Sequence, residues 1–153
     1  MSEDATRWLD EAEMASWVPL VQLVNLLPQA LDRQLRADAG ISHVYYMVLA
    51  LLSEAPGQQL RMSVLAARTA TSLSRLSHAV AALEERGWVV RSPCPDDRRG
   101  QLAELTDDGR ALLRETAPGH VAEVRRLVFD RLTPAQVEQL GELARTLLEP
   151  LTP

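Results

Sequence analysis

Lysine is absent from this 153-residue sequence; all sixteen of its basic residues are arginine. Cysteine occurs once, at position 94, which excludes an internal disulfide, and the three histidines at 43, 78 and 120 lack metal-ligand spacing. No metal and no cofactor are expected on that basis. Paired carboxylates, a nucleophile set beside a base and a glycine-rich phosphate loop are all missing, which argues against an enzyme. No stretch approaches the roughly 20 apolar residues that a membrane span requires. The acidic start "MSEDATRWLDEAE" lacks the basic opening and apolar core of a secretion signal. These absences predict a cytoplasmic protein with no membrane partner.

What is present is globular in composition, 46% hydrophobic and 24% charged, enough for one domain or one domain with appended helices. The formal charge of −5 argues weakly against a polyanion as partner, yet the charge is uneven. Between residues 61 and 100, seven arginines (61, 68, 75, 86, 91, 98, 99) oppose four acids (84, 85, 96, 97). That is a local +3, leaving −8 for the rest of the chain. Arginine, a planar fork of donors, suits phosphates and guanine edges better than lysine does.

Apolar residues recur at helical spacing from Asp10 to Arg36, interrupted by Pro19 and Pro28, so this segment is one kinked helix or two in series, stopped at Gly40. Ser42 caps a second helix, "HVYYMVLALLSEA", closed by Pro56 and Gly57. A short helix, Met62 to Thr69, takes Ser63 as its cap. The turn "TATS" follows, and Ser72 caps a fourth helix whose stripe is Leu73, Leu76, Val80 and Leu83, with Gly87 as the stop. "WVVRS" and "QLAEL" then read as two strands of a hairpin joined by "PCPDDRRG". Thr106 caps the next helix, which Pro118 and Gly119 should bend or break. Thr133, Pro134 and Gln136 open the last with a capping box. The fold expected is mainly α with a small β-hairpin wing: a winged helix-turn-helix lobe over 42–106, flanked by helices at 1–41 and 107–153, to which the resemblance given below assigns dimerisation.

With the stripe of the fourth helix turned inward, Ser74 and His78 lie opposite it, with Arg75 beside them, and no carboxylate occurs before Glu84. Such a face can enter a major groove, where Arg75 forks onto guanine while Ser72, Ser74 and His78 reach base edges or phosphates. An ordinary solvated helix face is the competing reading. The hairpin favours the first, because Arg98 and Arg99 sit in its loop and an arginine on a rigid tip can enter the minor groove. Asp97, two positions before Arg99, can hold that guanidinium extended. Cys94 is either an unreactive loop cysteine or, beside two arginines, a thiol-based redox sensor.

Four stretches carry a family resemblance: "GISHVYYMVLALLSEAPG", "LRMSVLA", "SLSRLSHAVAALEERGWVVR" and, most specifically, "DRRGQLAELTDDG". The chain resembles the MarR family of bacterial transcriptional regulators over nearly its whole length; Val64, where relatives often carry an acid, is one departure. The resemblance implies a homodimer with interlocked terminal helices, bound to a palindromic operator in double-stranded DNA and acting as a repressor. Carried over by position, it makes Asp97 and Arg99 the wing-tip pair, and Ser72, Ser74, Arg75 and His78 the recognition-helix contacts. It also implies a small, often aromatic effector, for which Trp17, His43, Tyr45 and Tyr46 are the candidate pocket residues; core packing is the alternative for all four. His120, without a catalytic partner in sequence, reads as a surface or interface histidine. The contrasting function is a winged-helix protein–protein module that has lost DNA binding, which the −5 charge would suit.

Overall fold

A computed structural model describes residues 6–95 and 97–151, with the backbone alone for Arg98 and Arg99. Six α-helices and a three-stranded antiparallel sheet follow one another as α1 (Glu11–Ala39), α2 (His43–Glu54), β1 (Gln59–Arg61), α3 (Met62–Arg68), α4 (Leu73–Glu85), β2 (Val89–Cys94), β3 (Asp97–Leu105), α5 (Asp107–Leu127) and α6 (Pro134–Leu148). Short 3-10 turns lie at Pro56–Gln58, Phe129–Arg131 and Glu149–Leu151.

Helix starts follow the local chemistry. The side chains of Ser42, Ser72 and Thr106 accept from the backbone N–H of Tyr45, Arg75 and Gly109, at 3.3, 3.3 and 3.0 Å. Asp10 and Thr133 form reciprocal capping boxes with Glu13 and Gln136. Gly40 ends α1 in the left-handed conformation that a residue without Cβ adopts freely.

The prolines do not divide the helices. α1 runs unbroken for 29 residues through Pro19 and Pro28, and α5 for 21 through Pro118. All three prolines lie on exposed positions, where water can take the carbonyl that each ring leaves without its helical donor. α1 also corrects the expectation of no membrane-length segment. Between Glu13 and Asp32 it carries no charge, only neutral polar residues among the apolar ones, and by length and composition it is apolar enough to cross a membrane.

Ser63 does not cap α3. β1 passes directly into the helix at Met62, so the N-cap position falls on Arg61, which offers no side-chain acceptor. The sheet is larger than a hairpin, in order β1-β3-β2, with Arg61 opposite Leu102 and Val89 opposite Leu105. β2 and β3 also extend further than expected: a register irregularity at Pro93/Cys94 lets pairing continue to Cys94 and Asp97.

Val48, Leu49, Leu52, Leu65, Leu76, Val80 and Leu83 are fully buried together and receive Val89, Ala103 and Leu105 from the sheet. Leu73, expected in the α4 stripe, is instead 53% exposed, because α4 leaves the core at its first turn. α5 is pressed against the turn after α4: Thr106 donates through N to Trp88 O and through Oγ1 to Gly87 O, at 3.1 and 2.7 Å. A Cβ on Gly109 would lie 2.2 Å from Trp88 O, so only glycine fits there. α6 buries none of its residues, and α1 buries only Leu31 and Leu35.

Candidate nucleic-acid interface

Two elements meet on one side of the lobe. α4 turns Leu76, Ala79, Val80 and Leu83 inward, which leaves Ser72, Ser74, Arg75 and His78 exposed on a face without a carboxylate. The first acid, Glu84, is already engaged. Its two oxygens accept from Arg91 N at 2.9 Å and Arg91 Nε at 2.6 Å, and Arg91 Nη2 lies 2.6 Å away. This half-buried clamp cancels the negative charge and ties the C-terminal part of α4 to β2. The turn before α4 places Ala70 at φ 50°, a left-handed value rare for a residue with a Cβ. It is held by Thr71 N donating to Ala66 O at 3.0 Å and Thr69 Oγ1 donating to Leu65 O at 2.7 Å.

The hairpin turns at Pro95, and Asp96 lies outside the described residues, as do the side chains of Arg98 and Arg99. The wing-tip roles expected of those arginines, and the brace of Asp97 on Arg99, therefore fall outside what is described. Asp97 Oδ2 does stand 3.7 Å from Arg61 Nη1 across an open cleft of about 430 Å³ between α4 and the hairpin. Arg61 carried no signal in the sequence beyond its charge. Cys94 is not a loop residue: it ends β2, is buried, and packs where a Cβ on Gly100 would come within 3.2 Å of its own. Burial keeps its thiol from solvent, which removes the access a redox sensor needs.

The four candidate pocket residues do not form one group. Tyr46 is buried and stacks at 4.2 Å, centroid to centroid, on His120, while His43 lies 5.9 Å from the same ring. Tyr45 is half-buried in the core beneath Arg86, whose guanidinium also covers Trp88. Trp17 is exposed on α1, fourteen residues and about 21 Å of helix before Leu31. His120 is the reverse case: buried rather than superficial, with Nδ1 3.2 Å from Gln34 Oε1. The signal it gave was its phase, four residues after Thr116 on the inward face of α5.

Burial holds His43 below the usual histidine range against the raising effect of Asp32. Burial and then the neighbouring His43 do the same to His120. Burial and Glu54 raise the Tyr46 hydroxyl. Asp32 is held low by its bond from Arg36 Nε, at 2.6 Å, and from His43 N, at 2.8 Å. Among the described residues no group of three or more histidines, cysteines or carboxylates is arranged to hold a metal.

A sequence profile of the MarR family matches residues 39–100. The chain is similar to Sco3205, a MarR family transcriptional regulator from Streptomyces coelicolor solved in complex with DNA. They share 52% identity over 99% of this chain and 94% of that one, with a TM-score of 0.91. It is also similar to CouR from Rhodococcus jostii RHA1, solved bound to p-coumaroyl-CoA, at 27% identity, 86% and 90% coverage and a TM-score of 0.74. The transcriptional repressor MprA of Escherichia coli (strain K12) is 28% identical over 120 residues, 78% of this chain and 67% of its own.

Proposed function

The chain belongs to the MarR family, and on that premise we propose that it is a dimeric, sequence-specific DNA-binding regulator that represses its target genes until a small ligand binds. The observation that carries the reading is the α4 face. Ser74, Arg75 and His78 project from a capped helix whose first acid, Glu84, is neutralised by Arg91, beside a two-stranded wing fixed to the same helix. That face fits a major groove, where Arg75 takes guanine and the hydroxyls take phosphates. Arg99, on the wing with Arg98, serves the adjacent minor groove, with Asp97 as its brace.

The chain works in two units, a DNA-binding lobe over 42–106 and dimerisation helices over 1–41 and 107–153. The helices supply the second half of the site. α6 leaves Leu143, Leu147 and Leu148 more than half exposed, and α1 does the same with Trp17, Val24 and Leu26. A two-fold copy covers those faces and sets two lobes on successive half-sites of a palindrome. The effector acts at the junction of His43, Tyr46 and His120, between lobe and helices, and the protein works in the cytoplasm without an enzymatic activity.

Selection of bound duplexes from random DNA by the purified protein tests this. A two-fold symmetric site is expected, with affinity reduced about ten-fold or more by Arg99→Ala and sequence preference relaxed by Arg75→Ala. Binding no tighter to the selected duplex than to competitor DNA at low salt would sink the reading.

A further inference from the structure

We propose that Arg61 is a contact to the DNA backbone, seated in the cleft between α4 and the hairpin, where it takes the phosphodiester strand that separates the two grooves. The inference rests on the DNA-binding reading above. One sugar-phosphate strand divides a major groove from the adjoining minor groove. A protein that places a helix in one and a hairpin in the other must therefore accommodate that strand between them. Here the gap is the 430 Å³ cleft, bounded by Leu73 and Ser77 of α4 on one side and Pro93, Gly100 and Gln101 of the hairpin on the other.

Arg61 closes one end of this cleft. Its backbone is fixed twice over, paired to Leu102 as the last residue of β1 and serving as the N-cap position of α3. Its guanidinium is the one cation among the described lining residues, and it is nearly half exposed. Asp97 Oδ2 stands across the opening 3.7 Å from its Nη1, a separation longer than a hydrogen bond. An exposed pair of this kind is weak in water. It therefore orients the side chain, reducing the rotamer freedom lost on binding, without tying up the other guanidinium N–H donors that a phosphate needs. The competing role is a staple: Arg61 merely fastens the hairpin to the start of α3. A staple changes stability, whereas a phosphate contact also changes the number of counterions released on binding.

The two roles separate in a salt titration of the full chain. Anisotropy is measured against a duplex enriched from random DNA and an unrelated duplex of equal length, at a temperature where each variant's melting curve shows it folded. Arg61→Gln is expected to weaken both duplexes by the same factor, about 30-fold near physiological salt, and to flatten the plot of log K against log salt by about 1.8, about 0.9 for each of the dimer's two copies of Arg61. Arg61→Lys should restore that slope. An unchanged slope in Arg61→Gln, a loss confined to the enriched duplex, or a slope that lysine does not restore would overturn the assignment. If the wild type binds neither duplex, the DNA-binding reading itself fails; if it binds and Arg61→Gln keeps its slope, only Arg61 is withdrawn.

Discussion

The lobe and the helices that flank it are made from the same residues and treat them in opposite ways. Leu49, Leu65, Leu76 and Leu83 are sealed against one another, while Leu26, Leu143 and Leu147 on α1 and α6 stand more than half exposed. Both sets repeat at helical spacing. Periodicity tells which side of a helix is apolar; it does not tell whether the covering surface belongs to the same chain. In the lobe the cover is intramolecular. α6 buries nothing within the chain, and the second copy proposed above is what would cover it.

The largest expected effect breaks this comparison directly. Leu83→Ala should destabilise the protein by about 2–5 kcal/mol in denaturant unfolding, because it opens a cavity in a closed core. Leu143→Glu, of the same residue type outside, should leave the lobe folded but convert dimer to monomer in sedimentation, and remove the dependence of melting temperature on protein concentration. Equal losses of lobe structure in both variants would erase the distinction.

A third variant probes the seam between the regions. Gly109→Ala forces a Cβ into the Trp88 carbonyl, which must move, and should cost about 1–3 kcal/mol by the same unfolding assay. A substitution without cost would mean that α5 docks on the lobe more loosely than the 2.2 Å approach requires.

The smallest effect is a pH dependence at the same seam. The folded state holds His43 and His120 below the usual 6.5, so the unfolded chain takes up protons first on acidification. Stability contributed by the neutral rings is present above pH 6.5 and is lost as pH falls below it. For the buried His120 the loss is at most about 1.4 kcal/mol per pH unit. His120→Gln should make the decline of melting temperature between about pH 7 and about pH 5 shallower.

How legible each part was depends on how local its cause is. Ser42, Ser72, Thr106 and Thr133 cap their own helices, so a few neighbouring residues predict each start. β1 has three residues, too few for its single alternation to stand out; it exists because β3 offers an edge. Ser63 lost its expected role to the strand that runs into α3, and Leu73 lost its core position to the exit of α4 from the lobe. The α4 face was readable because it is the complement of a clear apolar stripe. Arg61 was not, since the partner that gives it meaning is 36 residues away; His120 shows its inward phase in the sequence but not its partner Gln34, 86 residues away.

One consequence lies in the clamp of Glu84 on Arg91. It joins α4 to β2, the sheet joins β2 to β1, and β1 continues into α3, so the lobe has little internal freedom. Whatever is set against the α4 face and the hairpin therefore meets two surfaces at one fixed spacing, a gauge rather than a hand that closes.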